Sequence, residues 1–203
     1  MDSSQLSETE LDALRECGNV GIGNAATSLS KMINKQVDIN IPETKFMPLS
    51  KLSYDLGGPE NLALGIYSHI AGELGGEALF LFEEKNALKL SKYMSCDIAK
   101  VDDIDESCVK RIADVFIVPY LKSMQDMLDL KIEPTAAQHA YDMVQPIIDF
   151  LLIKIAKHSD EIFFVKEKIF IEKDEIEGVF LIIFEDEALR KILDTLKKKY
   201  GVL

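Results

Sequence analysis

Apolar residues recur at helical spacing along an N-terminal stretch from Leu6 to about Asn34. They fall three or four residues apart, as on the buried face of an amphipathic helix. The positions that set this spacing are Leu11, Leu14, Cys17, Ile22, Ala25, Leu29 and Ile33. The pattern predicts one long first helix.

Segments rich in β-branched and apolar residues follow this helix, and Gly, Pro or Asn bounds each of them. Such segments are typical of strands joined by turns. They cover Val37 to Pro48, about Leu62 to Ala71, and Gly76 to Phe82, and helical spacing returns from Glu83 to Met94. The first half of the chain is therefore predicted to contain a helix, three strands and a second helix.

The second half repeats this order of elements. The pattern predicts a long helix over Asp105 to Leu130, the start of a strand over Leu130 to Glu133, a hairpin over Glu161 to Ile171 and Gly178 to Phe184, and a closing helix over Glu185 to Tyr200. Between the first of these strands and the hairpin, about Thr135 to Lys157, we expect an inserted helix with a kink at Pro146.

One internal match supports a duplication. GEALFLFEEKNAL (residues 76 to 88) and GVFLIIFEDEAL (residues 178 to 189) share a glycine, an apolar strand, Phe-Glu and an Ala-Leu helix opening. We interpret residues 1–203 as a single domain of two duplicated α-β-β-β-α units, about 6–100 and 104–203. Edge-to-edge pairing would give an α+β fold with pseudo-two-fold symmetry, in which two long helices pack on one antiparallel sheet.

Charge limits the classes of partner. The 203 residues include 35 acidic and 23 basic side chains, a net charge of -12. Such a chain repels phosphate backbones and anionic lipid, so nucleic acid and membrane surfaces are poor candidate partners. The N-terminus lacks a signal-peptide pattern, and no apolar run approaches the roughly 20 residues that cross a bilayer. We expect a cytoplasmic protein.

The three cysteines, Cys17, Cys96 and Cys108, are an odd number at spacings that match no zinc or disulfide framework. They are predicted to be reduced thiols that behave as small buried hydrophobes. The three histidines are scattered without metal-ligand spacing. The cysteines and histidines are therefore predicted to be structural residues and not metal ligands.

The first helix is unusual in carrying Gly18, Gly21 and Gly23 within two turns. Each interior glycine costs roughly 1 kcal/mol relative to alanine, so something should offset the loss. Two interpretations are open: close packing against the sheet or the other long helix, or a flat platform that lets another protein approach. A phosphate-binding loop is excluded because the spacing is not G-x-G-x-x-G and no strand precedes it.

Polar residues on the same helix follow the spacing Asp12-x3-Glu16-x2-Asn19. Residues three and four apart share a helical face, so these three form one polar stripe. A carboxylate and an amide lie one turn apart in it. Taken alone, such a stripe is typical of a solvated helix surface.

With Pro42, this stretch resembles the CheC/CheX/FliY family of chemotaxis phosphatases. The family signature is Asp or Ser, three residues, Glu, two residues, Asn, 22 residues and Pro, and Asp12, Glu16, Asn19 and Pro42 fit every position. The flanking GNVGIGNAAT is similar to the family's helix, and the resemblance to the CheC branch extends over nearly the whole chain.

The resemblance implies dephosphorylation of the response regulator CheY, whose aspartyl phosphate lies beside a bound magnesium ion. Glu16 would engage the regulator's active-site lysine, and Asn19 would hold the attacking water in line. Asp12, Gly18, Gly21, Gly23 and Pro42 would support docking. Hydrolysis of an activated acyl phosphate needs positioning more than a strong base, so no cofactor of the chain's own is expected.

Family members often carry a second copy of the motif on the second long helix, and this chain departs from that pattern. Alignment of the two helices places Ser107, Arg111 and Asp114 at the motif positions. Arg111 would face a lysine with like charge, and Asp114 would bring an anion toward a phosphoryl group. We predict one active site, in the first half, and a second helix that survives as scaffold.

An alternative of another class stays open. A chain with one degraded motif could be a non-catalytic regulatory module that sequesters CheY or the receptor deamidase CheD, which the resemblance makes a possible partner. The intact first motif favours the enzyme.

Overall fold

A computed structural model describes residues 8–48, 51–56, 58–96, 98–155 and 161–200. Its helices are α1 (Glu8–Ile33), α2 (Leu52–Asp55), α3 (Glu84–Tyr93), α4 (Glu106–Leu128), α5 (Val144–Ile155) and α6 (Asp186–Tyr200), with one 3-10 turn at Val101–Asp103. None of the helices within these ranges combines the length and the hydropathy needed to span a bilayer.

Seven strands form one antiparallel sheet. They are β1 (Val37–Pro48), β2 (Leu62–Gly72), β3 (Gly76–Glu83), β4 (Ile132–Pro134), β5 (Gln138–Met143), β6 (Glu161–Ile171) and β7 (Asp174–Phe184). The order is β1-β6-β7-β3-β2-β4, and β5 also pairs with β2, beside β4. The predicted α+β fold with an antiparallel sheet is confirmed.

The strand order is symmetric about the contact between β3 and β7. On one side follow β2 and then β4 with β5, and on the other follow β6 and then β1. The first strand of each half thus pairs with a strand of the other half: β1 pairs with β6, and β4 pairs with β2. The duplication itself stays an interpretation of the sequence, and this strand order agrees with it.

Both glycines of the internal match are required by close backbone or ring contacts. A Cβ on Gly76, whose φ is +155°, would lie 2.3 Å from the carbonyl oxygen of Ile183. A Cβ on Gly178 would lie 2.4 Å from the ring of Phe80. Larger residues at either position would separate β3 from its neighbours.

The sheet has an apolar core on each face. Helices α1, α3, α4 and α6 bury one face, and α2 and α5 bury part of the other. The central strands β3 and β7 are buried on both faces over most of their length. That double burial explains why their sequences are continuous apolar runs and do not alternate.

The predicted inserted helix over residues 135 to 157 is wrong in its first part. Residues Gln138–Met143 form strand β5, which pairs with β2 through contacts such as Leu64 with Tyr141. The edge of β2 offers unpaired backbone groups, and this tertiary pairing overrides the local pattern. Helix α5 begins only at Val144, so Pro146 is its third residue. A proline in the first turn is tolerated, and the expected kink has no basis there.

The prediction of three reduced thiols is also wrong. Cys96 and Cys108 form a disulfide, with an S–S distance of 2.07 Å and Cα atoms 5.8 Å apart. The bond joins the segment after α3 to the first turn of α4. The fold brings these cysteines together, which their 12-residue separation did not reveal. The side chain of Cys17 lies outside the described part of the structure.

The disulfide should contribute measurably to stability. Closing a loop of this length restricts the unfolded chain, so reduction is expected to lower the free energy of unfolding by about 3 kcal/mol. Urea unfolding with and without reductant measures the difference, and the Cys96→Ala/Cys108→Ala variant, which should not respond to reductant, is the control. Thiol titration in denaturant should find one free thiol per chain; three would contradict the bond.

Candidate functional site

The outward face of α1 carries the polar stripe. Asp12, Glu16 and Asn19 are all exposed on this helix, and their spacing puts them on one side of it. All three side chains are open to solvent, whereas Ile22, Ala25 and Leu29 of the same helix are buried in the core. A partner protein can reach all three polar side chains at once.

Glu16 and Asn19 are neighbours in space as well as in sequence. The side-chain amide of Asn19 donates to the Glu16 carboxylate over 3.5 Å between Nδ2 and Oε2. This distance is at the long limit for a hydrogen bond, so the contact holds the amide only weakly. The pair therefore presents an acceptor and an amide that can both reorient toward another molecule.

Asp12 is held by a different residue. Arg15 Nη1 lies 2.8 Å from Asp12 Oδ1, an exposed ion pair one turn along the helix. Such pairs contribute well under 1 kcal/mol, but this one directs the carboxylate toward Arg15. Arg15 is not among the predicted site residues, although its three-residue spacing from Asp12 could have indicated the pair.

Two of the three glycines face α4. A Cβ on Gly21 would lie 2.9 Å from the Cα of Tyr120, and a Cβ on Gly18 would lie 3.3 Å from the Tyr120 hydroxyl oxygen. At Gly21 the two helices approach too closely for a side chain on α1, and at Gly18 a side chain would be a tight fit. For these glycines the structure favours close packing over a partner platform.

Tyr120 connects this helix contact to the sheet. It is 2% exposed, and its ring lies 4.5 Å, between centroids, from that of Phe180 on β7. The polar stripe on α1 is thus carried by a helix that is fixed through Tyr120 to a central strand. Rigid support of this kind keeps functional side chains in register for docking.

Gly23 differs from the other two. It is exposed, and no atom of the described residues lies within 4 Å of a Cβ placed on it, apart from its two chain neighbours and the helix's own nearby backbone. Internal packing therefore does not account for this glycine.

Pro42 lies in β1, the edge strand that follows α1. The pairing of β1 with β6 shifts register between Asn40 and Glu43, so the proline falls in an irregular stretch of the ladder. A residue without an N–H group is tolerated at such a place. Its part in the site stays a prediction.

The motif positions of the second helix are engaged in local structure. The Arg111 guanidinium Nη1 donates to the carbonyl oxygen of Met94 over 2.9 Å, at the C-terminal end of α3. Asp114 pairs with Lys110 over 2.6 Å. A cation at a helix C-terminus is favourable, so Arg111 has a structural role there.

Ser107 belongs to the N-terminal cap of α4. Its hydroxyl donates to Asp105 Oδ1 over 2.7 Å, and the Cys108 N–H donates to the same oxygen over 2.8 Å. The pKa of the Asp105 carboxyl is lowered, mainly because the Ser107 hydroxyl donates to it. Ser107, Arg111 and Asp114 all have partners within the fold, as expected for scaffold.

The chemistry open to the α1 stripe is binding and orientation. A carboxylate can accept from a cationic group, and an amide can both donate to and accept from a water. Among the described residues, no group of three or more His, Cys, Asp or Glu side chains is placed to hold a metal ion.

The sequence is similar to a known family and to two characterised proteins. Residues 10–45, which include the polar stripe and Pro42, match the CheC-like family. The chain is 23% identical over 171 residues to the CheY-P phosphatase CheC of Bacillus subtilis, covering 81% of this chain and 82% of the relative. It is 27% identical over 162 residues to the flagellar motor switch phosphatase FliY of the same organism, covering 77% of this chain and 40% of FliY.

A solved structure has a similar fold. The crystal structure of Thermotoga maritima FliY superposes with a TM-score of 0.73 at 16% identity, covering 96% of this chain and 99% of that one. At such identity the likeness shows the fold. Together with the matched helix and the relatives in sequence, it makes the chain similar over most of its length to the CheC/CheX/FliY family.

Proposed function

We propose that the chain is a phosphatase that removes the aspartyl phosphate from the response regulator CheY. The observation that carries the proposal is the exposed Glu16–Asn19 pair on α1, in the segment that matches the CheC-like family. The name of the Bacillus subtilis relative, CheY-P phosphatase, supports the choice of substrate.

Each residue of the pair has a distinct role in the proposal. Glu16 docks by accepting from a lysine beside the regulator's phosphoryl group, and Asn19 enters the site and orients the attacking water. An acyl phosphate is an activated substrate, so placing water in line with the breaking P–O bond provides much of the catalysis. The weak contact between the two side chains lets both turn toward the regulator.

The proposal needs no cofactor on this chain. Magnesium belongs to CheY, where it neutralises charge that develops on the phosphoryl oxygens. CheD is a possible second partner, with no site assigned to it.

A turnover experiment tests the proposal. CheY, phosphorylated with a small phosphodonor in magnesium buffer, is mixed with a tenfold smaller amount of the purified chain, and released phosphate is measured with and without CheD. The enzyme should release many phosphates per chain. Binding of CheY or CheD without faster release would instead support the sequestering module and refute the phosphatase.

The second helix should not become active when its motif is restored. Introduced into an Asn19→Ala chain, Arg111→Glu with Asp114→Asn is expected to give no phosphate release above that of Asn19→Ala. It should also lower the free energy of unfolding by about 1–3 kcal/mol, because the Met94 carbonyl loses its charged donor and gains a carboxylate nearby.

Lys110→Ala, which breaks the exposed pair with Asp114, should change the free energy of unfolding by about 0.5 kcal/mol at most. Urea unfolding and the phosphate assay give both readouts. Recovery of activity on α4 would show that Arg111 and Asp114 were all that the second site lacked.

A further inference from the structure

Gly23 lies beside the functional pair on α1. It is four residues after Asn19 and seven after Glu16, so all three occupy one face of the helix. In the part of the chain that the structure describes, a Cβ built at this position has no atom within 4 Å other than those of its chain neighbours and the helix's own nearby backbone. The space next to Asn19 is therefore empty because residue 23 has no side chain.

Internal structure does not require this glycine. The space at Gly18 and Gly21 is occupied by Tyr120, whereas no neighbour occupies the space at Gly23. Its φ does not fall in the left-handed region, as expected inside a continuous helix. An alanine there would favour the helix. The glycine thus lowers the stability of the helix, and no packing contact offsets that loss.

Thr27 and Val20 lie on either side of the open space at Gly23. The hydroxyl of Thr27, one turn further on, donates to the Gly23 carbonyl oxygen over 3.0 Å. That carbonyl oxygen already accepts a side-chain hydrogen bond. The feature that Gly23 presents to a partner is therefore empty space and not an unpaired acceptor. Val20, on the adjoining strip, is 43% exposed and gives the gap an apolar border.

The second long helix provides a comparison within the chain. In the alignment that pairs Asp12 with Ser107, the counterpart of Gly23 is Val118. The half of the chain whose motif has lost its glutamate and asparagine thus also carries a branched side chain at this position.

We propose that Gly23 is a clearance position that determines whether the regulator can dock. This inference rests on the proposed function: a surface of CheY passes over the bare backbone at Gly23 while Asn19 enters the phosphoryl site. A side chain at residue 23 holds that surface away from α1, and the exclusion grows with its size. Gly23 is a positioning residue, with no contact to the reacting atoms.

The test measures binding separately from catalysis. The dissociation constant for CheY activated with beryllofluoride and magnesium is measured for the parent, Gly23→Ala and Gly23→Leu, together with kcat/KM for phosphate release and the melting temperature. Gly23→Ala should weaken binding about threefold and Gly23→Leu by at least about tenfold, with matching losses in kcat/KM. The melting temperature should stay the same or rise in both variants.

Arg190→Leu, an exposed position on α6, is the control for adding a leucine to the surface. It should bind and act as the parent does. Equal binding by the parent and Gly23→Leu would overturn the clearance role, and so would a loss accompanied by unfolding of α1. If the parent neither binds nor dephosphorylates CheY, the proposed function itself has failed, which is a different result.

Discussion

Asn19→Ala is expected to lower kcat/KM for phosphate release from CheY on the order of 100-fold. The alanine cannot orient a water, and no other amide of the polar stripe takes its place. The fold should be unaffected, because Asn19 is exposed and the only hydrogen bond of its side chain in the described structure is the 3.5 Å contact with Glu16. Steady-state phosphate release gives the loss, and circular dichroism checks the helix content.

Asn24→Ala is a matched control for that change. Asn24 is also an exposed asparagine of α1, but it lies five positions further, about 140° around the helix from Asn19. It should keep kcat/KM within about threefold of the parent, because it lies away from the pair that orients water. If Asn24→Ala matched the loss in Asn19→Ala, a general effect on the helix would explain both results.

Gly21→Ala is expected to destabilise the protein, although alanine is the better helix former. Its Cβ would lie 2.9 Å from the Cα of Tyr120, and a backbone atom cannot move aside as the end of a flexible side chain can. Forcing α1 and α4 apart at this point should lower the free energy of unfolding by about 1–3 kcal/mol.

Gly23→Ala, the same substitution in the same helix, should instead raise the free energy of unfolding by about 0.5–1 kcal/mol. The opposite signs follow from what surrounds each glycine: Tyr120 at one and open space at the other. Urea unfolding of the parent and of both variants measures the two changes in the free energy of unfolding. Equal effects would mean that the close approach of α1 and α4 at Tyr120 does not constrain the fold.

Most of the fold could be predicted from the periodicity of the sequence. The bounds of β1 and β6 agree with the predicted segments, and α1, α4 and α6 differ from them by two residues or fewer at each end. These elements have strong and long patterns. The error at β5 arose because none of its six residues is fully buried and they have little pattern of their own; pairing with β2 determines their structure.

The site could be predicted in part. Helical spacing was enough to put Asp12, Glu16 and Asn19 on one face, and the structure agrees. The different surroundings of the three glycines could not be predicted, because they depend on where Tyr120 of another helix lies. The same holds for the contact of Arg111 with Met94 and for the disulfide, which both join the segment after α3 to α4 in the folded chain.

The central claim is that the Glu16–Asn19 pair performs the hydrolysis. Its most direct test is the rate of phosphate release from phosphorylated CheY by the Glu16→Ala/Asn19→Ala variant, with the parent chain measured alongside. The account predicts that the variant, folded and as stable as the parent, leaves CheY to lose its phosphate at its own rate. Release as fast as with the parent would contradict it.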